Sequence, residues 1–323
     1  MRRKLIKQGI GALTITLPKE WISQYNLEAG DEIEIEENNK NLLLIAEGKS
    51  GTLTKTEINI DGMDQFLIWR YLISLYRLGY DEITLTFSDI NKKYDIKLSS
   101  LGSLERKIQM RIIEVIKDIV NRFIGFEIID QGKYYCILKN LSENSEKEFD
   151  NTLRRIFLLL LSMAEESLVG LNKKTKNIRN SVRDIDVNID KLTDFCLRIL
   201  NKLGHKKIRK TNSIYAIILL LELIGDEFKR IAFHVSEFSE RKKFGHGIIS
   251  IHGQVNRVLD LLYKLFYKFS KERIVEIYDL DEQMSKKINS LNFNNEEKEI
   301  LHHLKKIKRH VTDLLQLIIE MEV

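Results

Sequence analysis

LLLELIGDEFKRIAFHVSE, Leu219 to Glu237, reads as a helix that places two acids, Glu222 and Asp226, four residues apart and so on one face. Like charges at that spacing repel by about a few tenths of a kcal/mol when exposed. Among leucines the cost grows, because an unpaired carboxylate taken out of water costs roughly several kcal/mol. Glu222 is flanked by Leu219, Leu220, Leu221, Leu223 and Ile224, so something cationic is expected to compensate it. The preceding helix offers a matching pair: in DIDVNIDKL, Asp186 and Asp190 are again four apart. Two antiparallel neighbours with paired carboxylates form an oxygen-rich cluster suited to a hard or borderline divalent ion. Salt bridges to Arg183, Lys191, Lys229 or Arg230, or plain solvation, are the alternatives.

Outward from this pair, everything from Asn151 to the end reads helical. Breaks fall at LNKKTK (Leu171–Lys176), GHKKIRKTN (Gly204–Asn212), RKKFGHG (Arg241–Gly247), near Ser270 and at SLNFNN (Ser290–Asn295). The expected helices are 152–171, 177–203, 211–240, 247–269, 271–290 and 295–322. An antiparallel bundle of two related three-helix halves, residues 150–323, is the natural packing. His302, His303 and His310 crowd the last helix without the i, i+4 pairing of a zinc site, and His246 and His252 are six apart. All are expected at the surface.

Residues 51–140 read as a middle α/β module. LTKTEINI is a strand, followed by a helix from Gly62 to Leu78 with Phe66, Ile68, Trp69, Leu72, Ile73 and Leu75 inward and Gly79 as its cap. DEITLTF is a strand. A second helix is expected from about Ser103 to Phe123, with Ile108, Ile112, Val115, Ile116, Ile119 and Val120 at helical spacing. FEIID and YYCILKN form a hairpin across Gln131–Gly132. The module shows no phosphate-binding glycine loop, paired catalytic groups or metal-ligand spacing, which points to a spacer or dimerisation role. LSENSEKEFD, Leu141 to Asp150, is the expected linker to the helices.

The N-terminal segment holds the only proline of the 323 residues, Pro18 in ITLPKEW. Residues 1–19 carry five bases (Arg2, Arg3, Lys4, Lys7, Lys19) and no acid, whereas residues 20–37 carry seven acids and no base. ALTITL and DEIEIEE alternate as strands. Proline is tolerated at the first helical position, so Pro18 is expected to end a strand and open a short helix with Trp21, Ile22 and Tyr25 on its apolar face. Gly30 turns the chain into the next strand, and NNKN (Asn38–Asn41) is a hairpin turn before LLLIA. A unit of about 48 residues can hardly bury a core alone, so dimerisation is expected.

Composition sets the outer bounds. Hydrophobic residues are 43% and charged residues 31%, ordinary for a soluble globular chain, and the low Pro and Gly counts favour helix. The net charge of +5 is too mild to argue for nucleic acid by itself. Cys136 and Cys196 lack ligand-type spacing and are expected as buried small hydrophobes. MRRKLIKQGIG lacks the apolar core of a signal peptide, and the run Ile214–Gly225 is too short for a bilayer span of about 20 residues. A cytoplasmic location without membrane insertion is expected.

Two resemblances sharpen this reading. TLPKEWISQYNLEAGDEIEIEENNKNLLLI closely resembles the SpoVT-AbrB family of swapped-hairpin DNA-binding domains, with the basic start, Gly11 and the LPK helix entry in place. The resemblance implies that two copies interlace into one small barrel over residues 1–48, with Arg2, Arg3, Lys4 and Lys7 towards DNA and Lys19 at the helix start beside them. LELIGDEFKRIA, VRDIDVNIDKL and LRRIFLLLLSMAEESL are similar to helices of the PhoU family of phosphate-signalling proteins. That likeness implies two three-helix repeats, each with a metal-binding carboxylate motif, and phosphate sensing through partners. Here Asp186, Asp190, Glu222 and Asp226 keep the first motif, with departures at Leu223 and Glu227. In the second half Asp281 remains, but Ser285 follows it, and Lys305 and Arg309 stand where two acids would be. A second metal is therefore not expected, and this half is either purely structural or binds an anion.

The combined arrangement resembles archaeal-type phosphate uptake regulators. It implies a multidomain α+β chain acting as a homodimeric, non-enzymatic, DNA-binding regulator of phosphate homeostasis. One divalent ion (magnesium, iron or zinc) is implied in the first repeat. The alternative is an adaptor that contacts the ATPase subunit of the phosphate transporter, or another signalling protein, and uses its N-terminal part only to dimerise. A metal-dependent hydrolase lacks a candidate nucleophile.

Overall fold

The computed structural model describes residues 1–38, 40–46, 53–98, 106–142, 146–173, 177–204, 208–237 and 244–322. The chain divides into two compact units, Met1–Lys55 and Thr56–Val323.

The first unit is built from two hairpins and a one-turn helix. β1 (Ile6–Gln8) pairs antiparallel with β2 (Ala12–Thr14), Ile6 opposite Thr14. Gly9 and Gly11 both take positive φ in the connecting turn, a conformation that costs glycine little. The strand expected over ALTITL is thus only three residues long, and its partner is the basic segment before it. α1 (Lys19–Gln24) starts one residue later than expected: Pro18 is its N-cap in extended conformation, and its carbonyl accepts from Ile22 N–H at 3.0 Å. β3 (Glu34–Asn38) pairs antiparallel with β4 (Asn41–Ile45). The turn expected at NNKN includes Asn39, which lies outside the described residues. Among the described residues of this unit none is buried, and none of these strands closes into a barrel within the single chain.

The second unit opens with a four-stranded sheet in the order β5-β6-β10-β9, formed by β5 (Lys55–Asn59), β6 (Glu82–Thr86), β9 (Phe126–Gln131) and β10 (Tyr135–Asn140). β10 runs antiparallel to both β6 and β9. α2 (Gln65–Arg77) is N-capped by Asp64, whose carboxylate accepts from Leu67 N–H at 2.7 Å. It buries Ile68, Leu72, Ile73 and Tyr76. Phe66, expected inward, is 62% exposed, because it falls on the opposite side of that stripe.

The helix expected over 103–123 is corrected. Residues 103–105 lie outside the described residues; Arg106–Arg111 is a strand, β8, paired antiparallel with β7 (Lys93–Leu98), and α3 covers only Ile112–Val120. RKIQMR alternates polar and apolar residues, which suits a strand, and the helix starts where Glu114 accepts from Arg111 N–H at 2.7 Å. β7 itself was not anticipated.

Six long helices follow: α4 (Glu146–Lys173), α5 (Ile178–Leu203), α6 (Thr211–Glu237), α7 (His246–Tyr267), α8 (Lys271–Ser290) and α9 (Asn295–Glu320). Their order and ends follow the sequence reading closely. The breaks around residues 174–176, 205–207 and 238–243 fall partly outside the described residues. The expected linker is shorter than its ten residues: α4 already begins at Glu146, and Phe149 is buried in the helical core. α4, α5 and α6 pack together, α7 packs on both α8 and α9, and α6–α9 and α4–α7 contacts join the two sets. The unit holds two hydrophobic cores, one around Ile68, Leu72, Ile83 and Ile116, the other shared by the six helices. Cys136 and Cys196 are free and buried, one in each core. Among the described residues no helix is long and apolar enough to cross a membrane.

Candidate functional site

The four carboxylates of α5 and α6 are the strongest site candidate from sequence. Asp186 is buried, while Asp190, Glu222 and Asp226 are half-buried. A cation of the chain itself, Lys229, pairs with two of them, Asp186 and Asp226. Its Nζ donates to Asp186 Oδ2 at 2.7 Å and to Asp226 Oδ1 at 2.5 Å. Burial works against this ammonium, but the two carboxylates outweigh it and hold the lysine pKa above its ordinary value.

Asp190 and Glu222 are left without such a bond to Lys229. Burial, followed by repulsion from Asp186, pushes the Asp190 carboxyl up to about 7. Burial and the Asp226 charge likewise raise Glu222. Both line a small cleft together with Trp69, Ile73, Arg77, Arg122 and Asp194. The acids therefore face the α/β module, where Arg77 and Arg122 supply positive potential. As placed, no three acids, histidines or cysteines among the described residues gather closely enough to hold a metal ion. A divalent ion here would have to displace Lys229.

Sequence reasoning missed the residue that joins the module to the helices. Arg198 lies on α5 within FCLRIL and is fully buried. Its Nη1 donates to the carbonyls of Tyr76 at 3.0 Å and Tyr80 at 2.7 Å, and its Nη2 to Asp81 Oδ1 at 3.2 Å. The guanidinium also lies 5.1 Å from the Tyr76 ring centre and 4.9 Å from that of Phe126. Lys202 bonds the same Asp81, and Arg77 Nε donates to Asp194 at 2.7 Å. A charged residue inside an apolar helical run was the available signal, the same one that drew attention to Glu222.

Two histidines expected at the surface are inside. His252 is fully buried on the inward face of α7, its Nε2 3.1 Å from Ser167 Oγ, and burial lowers its pKa to about 4. His303 is buried where α9 meets α6, its Nδ1 2.5 Å from Glu227 Oε2. Arg230 and Lys306 also reach Glu227, at 3.2 and 3.4 Å. Their neighbours at helical spacing, Ile248, Ile251 and Val255 or Ile300, Leu304 and Ile307, are all core residues, which carries the histidines inward with them.

At the other end of the chain, Arg2, Arg3, Lys4, Lys7 and Lys19 are all exposed. Lys7 stands on β1, and Lys19 is the first residue of α1.

Comparison with known proteins adds three findings. A family profile described as "Antidote-toxin recognition MazE, bacterial antitoxin" matches residues 8–52. The structure is similar to PhoU from Streptococcus pneumoniae, a phosphate transport system regulatory protein. The TM-score is 0.48 at 18% identity, covering 55% of this chain and 94% of that one. It is also similar to PhoU from Pseudomonas aeruginosa, with a TM-score of 0.46 at 18% identity, covering 54% and 94%. No curated protein matches the chain in sequence. Residues 8–52 thus match a MazE antitoxin profile, and the structure is similar to that of two PhoU proteins.

Proposed function

We propose that this chain is a homodimeric DNA-binding regulator of phosphate uptake, non-enzymatic, whose helical part receives a signal or a partner. The observation that carries the first half is the state of residues 1–55. They bury nothing among their described residues, yet expose Leu5, Ile6, Leu13, Ile15, Ile35 and Leu42 beside Arg2, Arg3, Lys4 and Lys7. A unit without a core is completed by a second copy, which covers the apolar strands and leaves the bases outward for DNA phosphates. Lys19 joins them at the start of α1. The phosphate half rests on the resemblance of LELIGDEFKRIA and VRDIDVNIDKL to the PhoU family. On this reading the bundle's partners are the ATPase subunit of a phosphate transporter or a signalling protein, and the setting is the cytoplasm.

A divalent ion (magnesium, iron or zinc) held by Asp186, Asp190, Glu222 and Asp226 belongs to the proposal only as a competitor of Lys229. Oxygen-only donors favour hard ions, and the resident ammonium keeps the affinity of the native chain low. The deciding experiment is selection of genomic fragments by the purified full chain at stated salt. Enrichment next to phosphate-transporter genes is the expected result. No enrichment, together with capture of the transporter ATPase, would mark the chain as an adaptor.

A further inference from the structure

We propose that the groove between α8 and α9 is a binding site for a phosphate-type tetrahedral oxyanion. α7 packs against both helices. Between α8 and α9 lies an open cavity of about 560 Å³, lined by Ser285, Ile288 and Asn289 from α8 and by Lys305, Lys308, Arg309, Thr312 and Asp313 from α9. That volume falls in the ordinary range for small-ligand sites.

The charges in it are unevenly satisfied. Lys308 is tied to Asp281 at 2.9 Å. Lys305 and Arg309, one turn apart on the same face of α9, make no ion pair with any described residue. Two like charges held at that spacing repel each other, and Asp313 is the one other carboxylate in the lining. On α5 and α6, by contrast, a lysine of the chain itself binds two of the four carboxylates. In the α8–α9 groove the surplus is positive and no described side chain meets it. An external anion completes the balance.

The donors decide its kind. The Arg309 guanidinium offers a planar fork that matches two oxygens of one phosphate, and the Lys305 ammonium adds a point charge. Asn289 supplies an amide from the facing helix. Ser285 and Thr312 already donate to the carbonyls of Asp281 and Lys308, at 2.9 and 3.2 Å, so they shape the groove and do not hold the anion. Several oxygens around a compact multiple charge fit this set better than a carboxylate or halide. The groove is open, so the affinity is modest and falls with salt. The site stands whether or not the N-terminal unit binds DNA.

The test is calorimetric titration of the full chain with inorganic phosphate, pyrophosphate and sulfate at fixed ionic strength. Three proteins are compared: the native chain, Lys305→Ala/Arg309→Ala, and a control, Lys271→Ala/Lys298→Ala, which loses the same charge from exposed positions outside the groove. All four lysine and arginine positions are exposed, so folding is preserved and is checked by circular dichroism. The expected result is saturable binding of phosphate or pyrophosphate, weakened at least tenfold in the groove variant and within twofold of native in the control. Preference for pyrophosphate over phosphate would identify the ligand as a phosphoanhydride or polyphosphate; equal binding of sulfate would identify a general oxyanion site. Equal weakening in both variants would reduce the effect to diffuse charge and overturn the proposal, as would the absence of saturable binding to all three anions.

Discussion

Lys229 on α6 reaches across to Asp186 on α5, Nζ to Oδ2 2.7 Å, while also holding Asp226 on its own helix at 2.5 Å. One ammonium thus occupies the centre of a cluster whose other two acids, Asp190 and Glu222, have raised pKa values. Lys229→Met should remove about 2 to 3 kcal/mol of stability at pH 8, below the full cost of breaking a buried pair because the lysine is partly exposed. The loss should shrink as pH falls through about 7, where Asp190 takes up a proton and one repulsive charge leaves the cluster. The variant should also gain a rise in Tm with added magnesium or manganese that is small in the native chain. A variant as stable as native, and indifferent to metal, would mean that these acids are solvated and the lysine is incidental.

Asp190 gives the cluster a pH signature of definite sign. An ordinary aspartate titrates near 3.8, and here the folded value is about 7. Between those values the folded chain holds a proton that the unfolded chain releases. The resulting stabilisation is complete below about pH 4 and is lost as pH rises through about 7. Asp190→Asn should therefore be more stable than native at pH 8 by about 2 kcal/mol, allowing for solvent screening, and near neutral at about pH 4. Urea melts at the two pH values measure this. Destabilisation at pH 8 would show that the Asp190 charge is held by a cation, a bound metal included.

Much of this was legible in the sequence, and the exceptions share a cause. The bundle helices are long and strongly periodic, so their packing follows the pattern of residues within each helix. Lys229 is one of four cations the sequence offers the acids as an alternative to a metal, and it stands at i+3 from Asp226, where helix neighbours meet. The second helix of the α/β module failed as a prediction because Ile108 and Met110 alternate with polar residues over only six positions, where strand and helix periods are hard to tell apart. Arg198, His252 and His303 were missed for a different reason. A buried polar group is explained by its partner, and those partners lie 117 to 122 residues away for Arg198, 85 for His252 and 76 for His303. A local pattern can flag a charge in an apolar run, as it does for Arg198, but it cannot name a partner that far away in the chain.

Arg198 makes the α/β module and the helices interdependent. Arg198→Met leaves the Tyr76 and Tyr80 carbonyls without the guanidinium donor they accept from, and leaves buried Asp81 with Lys202 as its cation. A loss of about 3 kcal/mol is expected, in the range for breaking a buried pair. The more specific readout is cooperativity. The native chain from Thr56 onward should unfold with one transition, whereas the variant should show two, followed by circular dichroism for the helices and Trp69 fluorescence for the module. A single coincident transition in the variant would show that the remaining Arg77–Asp194 and Asn201–Arg77 contacts suffice to couple the two cores.

The N-terminal unit is tested through salt. Arg2, Arg3, Lys4 and Lys7 are exposed beside strands that have no core, which suits a dimer presenting bases to a phosphate backbone. Each phosphate contact should contribute about 0.9 to the slope of log K against log salt. If the four residues contact DNA in both copies of a dimer, the quadruple alanine variant should lose a slope of several units and bind far more weakly at low salt. The difference should narrow as salt rises, because the counterion release that drives it fades. Lys19→Ala alone should change the slope by at most about one unit per copy. Self-association separates DNA contact from dimerisation: the quadruple variant should stay dimeric by sedimentation, since its substitutions leave Leu5, Ile6, Leu13 and Ile35 in place. Removing residues 1–48 should weaken the dimer. An unchanged salt slope in a quadruple variant that still dimerises would assign this unit to dimerisation alone and move the regulatory contact to the helical bundle.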